Sequence, residues 1–476
     1  MITIFKKSTV TIFSLFAFFS LTSAGVASAA PSWTNPASLT TVTLFNLPTN
    51  SASVAVGPNG DSVAVWINES NYVVQYAQRK NGVWSAAKAL YTPSATKNET
   101  TSSAHVVMKA DGTALAIIAT TTPGVLQYCV SGGRVVRCLG PSKSFAKIAT
   151  LAVGATAWTK ANLSAQGILV DDTQIAIDAS DNVLASWRYL QSAGLQTQFQ
   201  TANQPVGGAW SSPQTVYSSA NGLSFPNLSL GASGHALLAW QEKLIAGSIT
   251  PFAIRAVYRD STGVWSPVED AAGLSSQSWT LRSGMDATGL ATLLWDNNYS
   301  VQLSRRTAIN ISSPWSVAET LTSVPGTQYG YSGPFAAYAP DLAVSASGDV
   351  LVGWLESDTT SGLWTIEAQM LSAAGTVQAT TSWSVDPQTG SSYPSVTLSK
   401  DGSVGSIAWV DNGTSNANVA SFTPASGWGQ PLVIGTGLWD SQVALGSGLN
   451  ANASAVWLTN TATEFKYKYM GSSYLP

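Results

Sequence analysis

The side chains able to do acid, base or binding chemistry are few, and they gather just after a recurring tryptophan. Charged residues make up 10% of the chain, against about 25% in an ordinary globular protein. The polar positions following the apolar strands are Asn68, Glu69, Arg188, Tyr189, Gln241, Glu242, Asp296, Asn297, Glu356, Asp358, Asp411 and Asn412. Carboxylates brought together from two such places have two chemical uses. They could act as the acid and base of a glycosidase, or hold Ca²⁺ through oxygen ligands. Solvation of ordinary loops is the third reading. A second series is aromatic: Phe225, Trp279, Tyr338, Tyr393 and Trp439, joined by Tyr329, Tyr331 and Phe335 in residues 327–339. An aromatic ring can stack on the apolar face of a sugar while neighbouring amides and carboxylates bond its hydroxyls. The same rings could equally cap seams between sheets. The candidate ligand-binding set is therefore Phe225, Trp279, Tyr331, Tyr338, Tyr393 and Trp439 with Arg188, Glu242, Asp296, Glu356 and Asp411; no catalytic residue is assigned.

Other chemistries find no support in the residue types. Only two histidines occur, His105 and His235, both at positions that read as structural, so neither a Ser-His-Asp set nor a zinc site can be built. No glycine-rich phosphate loop precedes a helix. A net charge of −3 offers no basic face to nucleic acid, and no polybasic run faces anionic lipid. No cofactor is expected, with calcium the one ion that the loop carboxylates leave open.

The two cysteines, Cys129 and Cys138, flank a Gly132-Gly133 pair set between β-type runs. Gly-Gly between such runs signals a hairpin, and in an exported chain oxidation would join them. Two buried thiols are the alternative.

The elements that must position these residues come from a repeat. An alternating strand, a Gly or Asp turn, and an apolar strand ending in an aromatic or aliphatic anchor recur to Trp66, Ile118, Trp187, Trp240, Trp295, Trp354, Trp409 and Trp457. Alternation around fixed turn residues reads as β-hairpins rather than helices. A second anchor series, Trp33, Trp84, Trp158, Trp210, Trp265, Trp315, Trp383 and Trp428, sits between the first. The two series use 15 of the 18 tryptophans, so these rings are packing residues, buried between neighbouring sheets. Each unit then holds four strands, the composition of a propeller blade. The fold class expected is all-β, an eight-bladed β-propeller of four-stranded antiparallel blades. The chain starts on a lone fourth strand at Trp33 and ends after a third strand at 464–470, so the first strand should complete the last blade. A seven-bladed ring with the divergent unit of Ile118 set outside it is the alternative.

The N-terminal segment has a basic start at Lys6 and Lys7, an apolar run from Val10 to Leu21, and small residues at Ala27-Ser28-Ala29. That is the layout of a secretory signal peptide, with cleavage expected after Ala29. The apolar run is short for a retained anchor, and no later segment reads as a transmembrane helix. Residues 1–29 are read as signal and 30–476 as one propeller domain, secreted or periplasmic.

The repeat resembles the sialidase-type BNR or Asp-box family. The likeness lies in Tyr393-Pro394-Ser395 leading to Trp409, and in Gly208-Ala209-Trp210-Ser211-Ser212-Pro213. The nearest match to an Asp box is Asp260-Ser261-Thr262-Gly263-Val264-Trp265, with its glycine one place late. The resemblance implies a propeller. The arginine triad and Arg-Ile-Pro motif of the catalytic members are not matched, so no catalytic residue carries over. The function expected is an exported, non-catalytic binding propeller whose partner is a saccharide or an envelope or extracellular protein. A divergent sialidase-like glycoside hydrolase and a cell-envelope assembly scaffold are the alternatives.

Overall fold

The computed structural model describes residues 32–43, 52–131, 134–191, 196–231, 234–244, 252–275, 280–297, 300–310, 312–322, 339–357, 364–386, 391–438, 442–448, 452–460 and 466–475. Apart from one turn of 3-10 helix at Ala95–Lys97, every regular element in them is a β-strand.

The strands form antiparallel sheets in chain order. The first holds Ser53–Val56, Ser62–Asn68, Val73–Lys80 and Val83–Trp84, with Lys88–Tyr91 on the same edge. The second holds Thr100–Met108, Ala114–Thr122, Lys143–Leu151 and Thr159–Asn162; the third, Leu169–Ile177, Val183–Leu190, Thr197–Gln204 and Gln214–Ser219. The fourth holds Leu223–Leu230, Ala236–Lys243, Phe252–Arg259 and Glu269–Ser275; the fifth, Leu281–Met285, Ala291–Asn297, Ser300–Arg305 and Glu319–Thr320. The sixth holds Asp341–Val344, Val350–Ser357, Trp364–Leu371 and Val377–Val385; the seventh, Ser395–Leu398, Gly405–Asp411, Asn416–Thr423, Gly427–Trp428 and Leu432–Thr436. A last sheet joins Ala444–Ser447, Ala453–Asn460 and Lys466–Leu475 to the N-terminal Ser32–Trp33 and Ala37–Thr43.

Each second strand is sandwiched inside its sheet and between two neighbouring sheets, so it must be apolar on both faces. Ser62–Asn68 is buried along its whole length, which is why the sequence there reads as a continuous run rather than an alternation. Every large core cluster is filled from two adjacent sheets. Trp187 packs with Leu115, Ile117 and Ile148 of the sheet before it, and Trp295 with Leu237, Ile254 and Tyr258. Small residues let the sheets close on one another. A Cβ on Gly353 would meet Ile407 at 2.5 Å and Val396 at 2.8 Å. Two of the buried indole N–H groups are matched from the next strand, Trp66 donating to Gln75 at 3.0 Å and Trp187 to Gln200 at 3.1 Å.

The ring closes as the repeat phase predicts. Ser32 lies opposite Leu475 and Trp33 opposite Tyr474, so the first strand edges the sheet made by the last three. Leu39, Ala52 and Trp66 then share a core with Val456 and Leu458, and Ser62 bonds Ser454 at 2.8 Å across the seam.

Seven blades carry the tryptophan-ended pattern, the number in the alternative reading of the repeat. The unit in which Ile118 replaces that tryptophan was placed outside the ring by that alternative. Its sheet instead packs between the first and third, sharing one core with each. Ile118 is buried there beside Trp158 and Tyr76, whose rings meet edge to face with centroids 5.4 Å apart.

The insertion in that unit is a two-stranded hairpin, Leu126–Ser131 against Arg134–Leu139. Cys129 and Cys138 are joined by a disulfide, their Cα atoms 6.1 Å apart.

Candidate functional site

The first strands of neighbouring sheets approach one another around the ring, so they line its inner wall. Three consecutive first strands carry a β-bulge near their start: between Thr101 and Ser103, Asp171 and Gln174, and Ser224 and Asn227. A bulge unpairs a residue and turns its side chain off the regular sheet face. Here it places Asp172 and Phe225 in the left-handed region, at φ 47° and 51°. That conformation is unusual for any residue with a Cβ and rare for a bulky one.

Between these bulges lies a cavity of about 500 Å³, lined by His105, Asp172, Gln174, Arg188, Ser224, Phe225, Pro226, Asn227, Leu281 and Arg282. It draws on four adjacent sheets. Arg188 is part of its wall. Its Nε and Nη2 donate to the two oxygens of Asp171, both at 2.7 Å, its Nη1 donates to the Leu223 carbonyl at 2.6 Å, and Asp172 lies 3.2 Å away. Burial pulls the guanidinium pKa down, but the hydrogen bonds and charge of Asp171, with Asp172, win and hold it above its ordinary value. Asp172 is pushed up, chiefly by desolvation, which the attraction of Arg188 offsets in part. Burial alone lowers His105 to about 4, so that ring is neutral at pH 7. On the far wall Arg282 pairs with Asp341 at 2.9 Å, whose other oxygen accepts the Val396 N–H. The Ser283 hydroxyl donates to Oδ1 of Asn227 at 2.8 Å. The ring of Phe225 is 45% exposed, an aromatic face on an otherwise polar wall.

The structure sorts the residues singled out in the sequence. Arg188 and Phe225 meet at this cavity. Glu242 does not reach it: it is buried, accepting from Tyr217 at 2.8 Å, Ser219 at 2.6 Å and Asn221 at 3.3 Å, with Arg255 at 3.5 Å. Glu356 is also buried, accepting the indole N–H of Trp354 at 2.8 Å. Asp296 is buried and accepts the Thr280 N–H at 2.6 Å. These three carboxylates are therefore corrected from rim positions to internal hydrogen-bond acceptors. Asp411 caps its own turn, accepting from the backbone N–H of Gly413 and Thr414. Tyr393 is exposed just before Ser395–Leu398, away from the cavity. Trp279, Tyr331, Tyr338 and Trp439 lie outside the described residues, as do Tyr329, Phe335 and Asp358. Sequence reading missed Asp171, Asp172, Gln174, Asn227, Arg282 and Asp341. The signal available was the Asp-Asp-Thr interruption at 171–173 in an otherwise alternating strand.

The nearest match to an Asp box is a structural turn. Asp260 accepts from Thr262 N–H and hydroxyl at 2.9 and 2.7 Å and from Val264 N–H at 2.9 Å. The Thr262 hydroxyl, then these amides, hold its carboxyl below the usual range. Asp286 makes the same set of bonds with Thr288 and Leu290. A groove of about 650 Å³ between the fourth and fifth sheets is lined by residues 267–271 and 312–318; Glu269 on its wall accepts from buried Arg306 at 2.5 Å, whose guanidinium lies over the ring of Tyr258 at 4.2 Å. Among the described residues, no three His, Cys, Asp or Glu side chains gather as a metal-holding group, and no helix is long and apolar enough to cross a membrane.

No protein-family model matches the chain, and no curated protein matches it. Solved structures match over most of its length at low identity. A protein of unknown function from Dyadobacter fermentans is 11% identical, with 92% of this chain and 99% of that one covered and a TM-score of 0.39. An ulvan lyase, of a polysaccharide lyase family, is 10% identical, with 82% and 94% covered and a TM-score of 0.48. A prolyl endopeptidase is 12% identical with a TM-score of 0.44; the match covers 85% of this chain and 53% of the peptidase. Likenesses at this level are of fold alone.

Proposed function

We propose that the chain is an exported, non-catalytic binding propeller that takes a saccharide at the inner-wall cavity. The observation that carries this reading is Phe225. Its ring is exposed on a backbone that a bulky residue adopts only when its surroundings impose it, and such strain gathers at working sites. The ring offers a stacking face. Asn227, Gln174, Arg188 and Arg282 offer donors and acceptors for hydroxyls along the same wall, and the neutral His105 adds a polar edge without charge. Both arginines are already paired with aspartates, so the wall is polar rather than strongly charged of either sign. That suits a neutral or weakly charged sugar.

The test is a glycan array probed with the mature chain and with Phe225→Ala, followed by calorimetry on the retained glycans. Binding should weaken at least about fivefold in the variant, the loss of one aromatic stacking contact being worth roughly 1–3 kcal/mol. An array with no hits, or equal retention by Phe225→Ala, overturns the reading.

One observation favours the alternative, a divergent sialidase-like hydrolase. Asp171 and Asp172 are adjacent, and desolvation pushes the Asp172 carboxyl up. A carboxyl raised by burial on a cavity wall is a candidate general acid. Turnover in a panel of chromogenic glycosides, abolished by Asp172→Asn, would replace binding with catalysis.

A further inference from the structure

We propose that the disulfide-stapled hairpin 126–139 is a docking element for an anionic phospholipid surface. Its two strands pair with each other and with no other sheet. A free two-stranded hairpin is marginal in water, and the Cys129–Cys138 bond holds this one together without a core beneath it. What it presents is not a solubilising surface. Val125, Leu126, Tyr128 and Leu139 are 75%, 63%, 76% and 66% exposed.

The register shows how these residues are arranged. Leu126 is opposite Leu139 and Tyr128 opposite Arg137, so period two places all four on one face of the ribbon. Cys129 and Cys138 fall at the alternate parity, so the staple belongs to the other face. The outward face thus combines two leucines, an aromatic ring with a polar tip, and a guanidinium. Such side chains settle at a membrane interface, where the apolar part enters the acyl boundary and the polar end stays with the headgroups.

Charge identifies which surface this face fits. The chain as a whole is acidic, at −3, yet residues 112–170 contain no Asp or Glu and carry Arg134, Arg137, Lys143, Lys147 and Lys160. These cations are scattered in sequence, so no polybasic run announces them. Lys143 pairs with Thr122 at the hairpin's base and is exposed. Lys147, two turns of the pleat further along the same strand, lies over the rings of Phe145 and Tyr91. Glu99 faces Lys147, so the outward charge rests on exposed Arg137 and Lys143, which with the exposed apolar residues of the hairpin complement a layer of anionic headgroups over hydrocarbon. The hairpin leaves the sheet between its second and third strands, so the contact would be peripheral, with the ring itself in water.

The experiment is vesicle flotation of the mature chain. Phosphatidylcholine vesicles with about 30% phosphatidylglycerol, an anionic fraction giving a surface potential of the kind that attracts basic segments, are compared with phosphatidylcholine alone. The chain should float with the anionic vesicles and less so in high salt. Loss of one cation near such a surface weakens binding about fivefold, so Arg137→Glu, which also adds a negative charge, should weaken it more than that. Leu126→Ser with Tyr128→Ser should abolish flotation. Both variants should keep the wild-type circular dichroism and unfolding midpoint, because the hairpin lies outside the ring. Absence of flotation, equal binding to neutral vesicles, or indifference to Arg137→Glu overturns the proposal. So does a dimer on gel filtration that Tyr128→Ser dissolves, which would assign the face to a second copy.

Discussion

Arg188 holds Asp171 by two parallel hydrogen bonds of 2.7 Å, one from Nε and one from Nη2, while its remaining Nη1 ties the start of the next sheet at the Leu223 carbonyl. One side chain therefore shapes the cavity and staples two blades. Its removal would leave two adjacent aspartates on a partly desolvated wall with no cation between them. Breaking a fully buried pair costs about 3–5 kcal/mol. Arg188 and Asp171 retain 23% and 20% exposure, so Arg188→Gln should lower stability by about 2–3 kcal/mol in urea denaturation. Arg188→Lys should recover little of this, since an ammonium cannot reproduce the fork. An unchanged midpoint for Arg188→Gln would remove the residue from the architecture of the cavity.

The cavity should also mark the stability curve with pH. His105 is held at about 4, below the ordinary 6.5, by burial. Between those values the unfolded chain binds the proton and the folded chain does not. Stability is therefore full above pH 6.5, falls as pH drops toward 4, and levels off below. The span corresponds to at most about 3 kcal/mol. Asp172 works with the opposite sign: its raised value means the folded chain binds the extra proton, so stability from this group rises as pH falls toward 3.8. Chemical denaturation from pH 4 to 7 should show a slope that His105→Gln flattens and Asp172→Asn steepens. A slope indifferent to His105→Gln would contradict its burial in neutral form.

The repeat made much of the fold legible and little of the site. Strands were readable because tryptophans recur where second strands end, and the closing strand because Trp33 stands where a fourth strand should begin. The hairpin was readable from Gly132-Gly133 between two cysteines. The misplaced carboxylates show where reasoning from loop position stops. Glu242 and Glu356 each stand two residues after a buried tryptophan, Trp240 and Trp354. On a strand that is the same face, so both were bound to turn inward with the indole. Asp172 and Asn227 were hidden for another reason. They face the cavity because bulges break the alternation of their strands, and a one-residue insertion in the register is invisible to a period-two pattern.

The match of Trp187 to Gln200 makes a prediction that separates packing from polarity. The indole is fully buried and its N–H donates to Gln200 at 3.1 Å. Gln200→Leu leaves the aromatic packing in place but orphans that donor, which should cost about 1–3 kcal/mol. Trp187→Phe in the same background removes the orphan, so the double variant should lose less than the two single losses added together. Strict additivity in urea melts would mean that the amide contributes nothing through the indole.

Ring closure predicts complementation by a separate strand. The Lys466–Leu475 strand is edged by Ser32–Trp33 and Ala37–Thr43, and Leu39 and Trp33 reach the cores on the two sides of that sheet. A chain beginning after Thr43 would lose both contacts and expose a long unpaired edge, a template for aggregation. It should unfold at a markedly lower urea concentration and form aggregates on concentration. Because the missing strand is held by backbone pairing and two apolar anchors rather than by covalent continuity alone, a synthetic peptide of residues 32–43 should restore it from outside, as added strands do in other sheets. Binding only to the folded ring, the peptide must raise the midpoint in proportion to the logarithm of its concentration. A peptide with Trp33→Ala and Leu39→Ser should fail to do so. Full stability of the shortened chain with no peptide present would mean that the last sheet stands without the first strand.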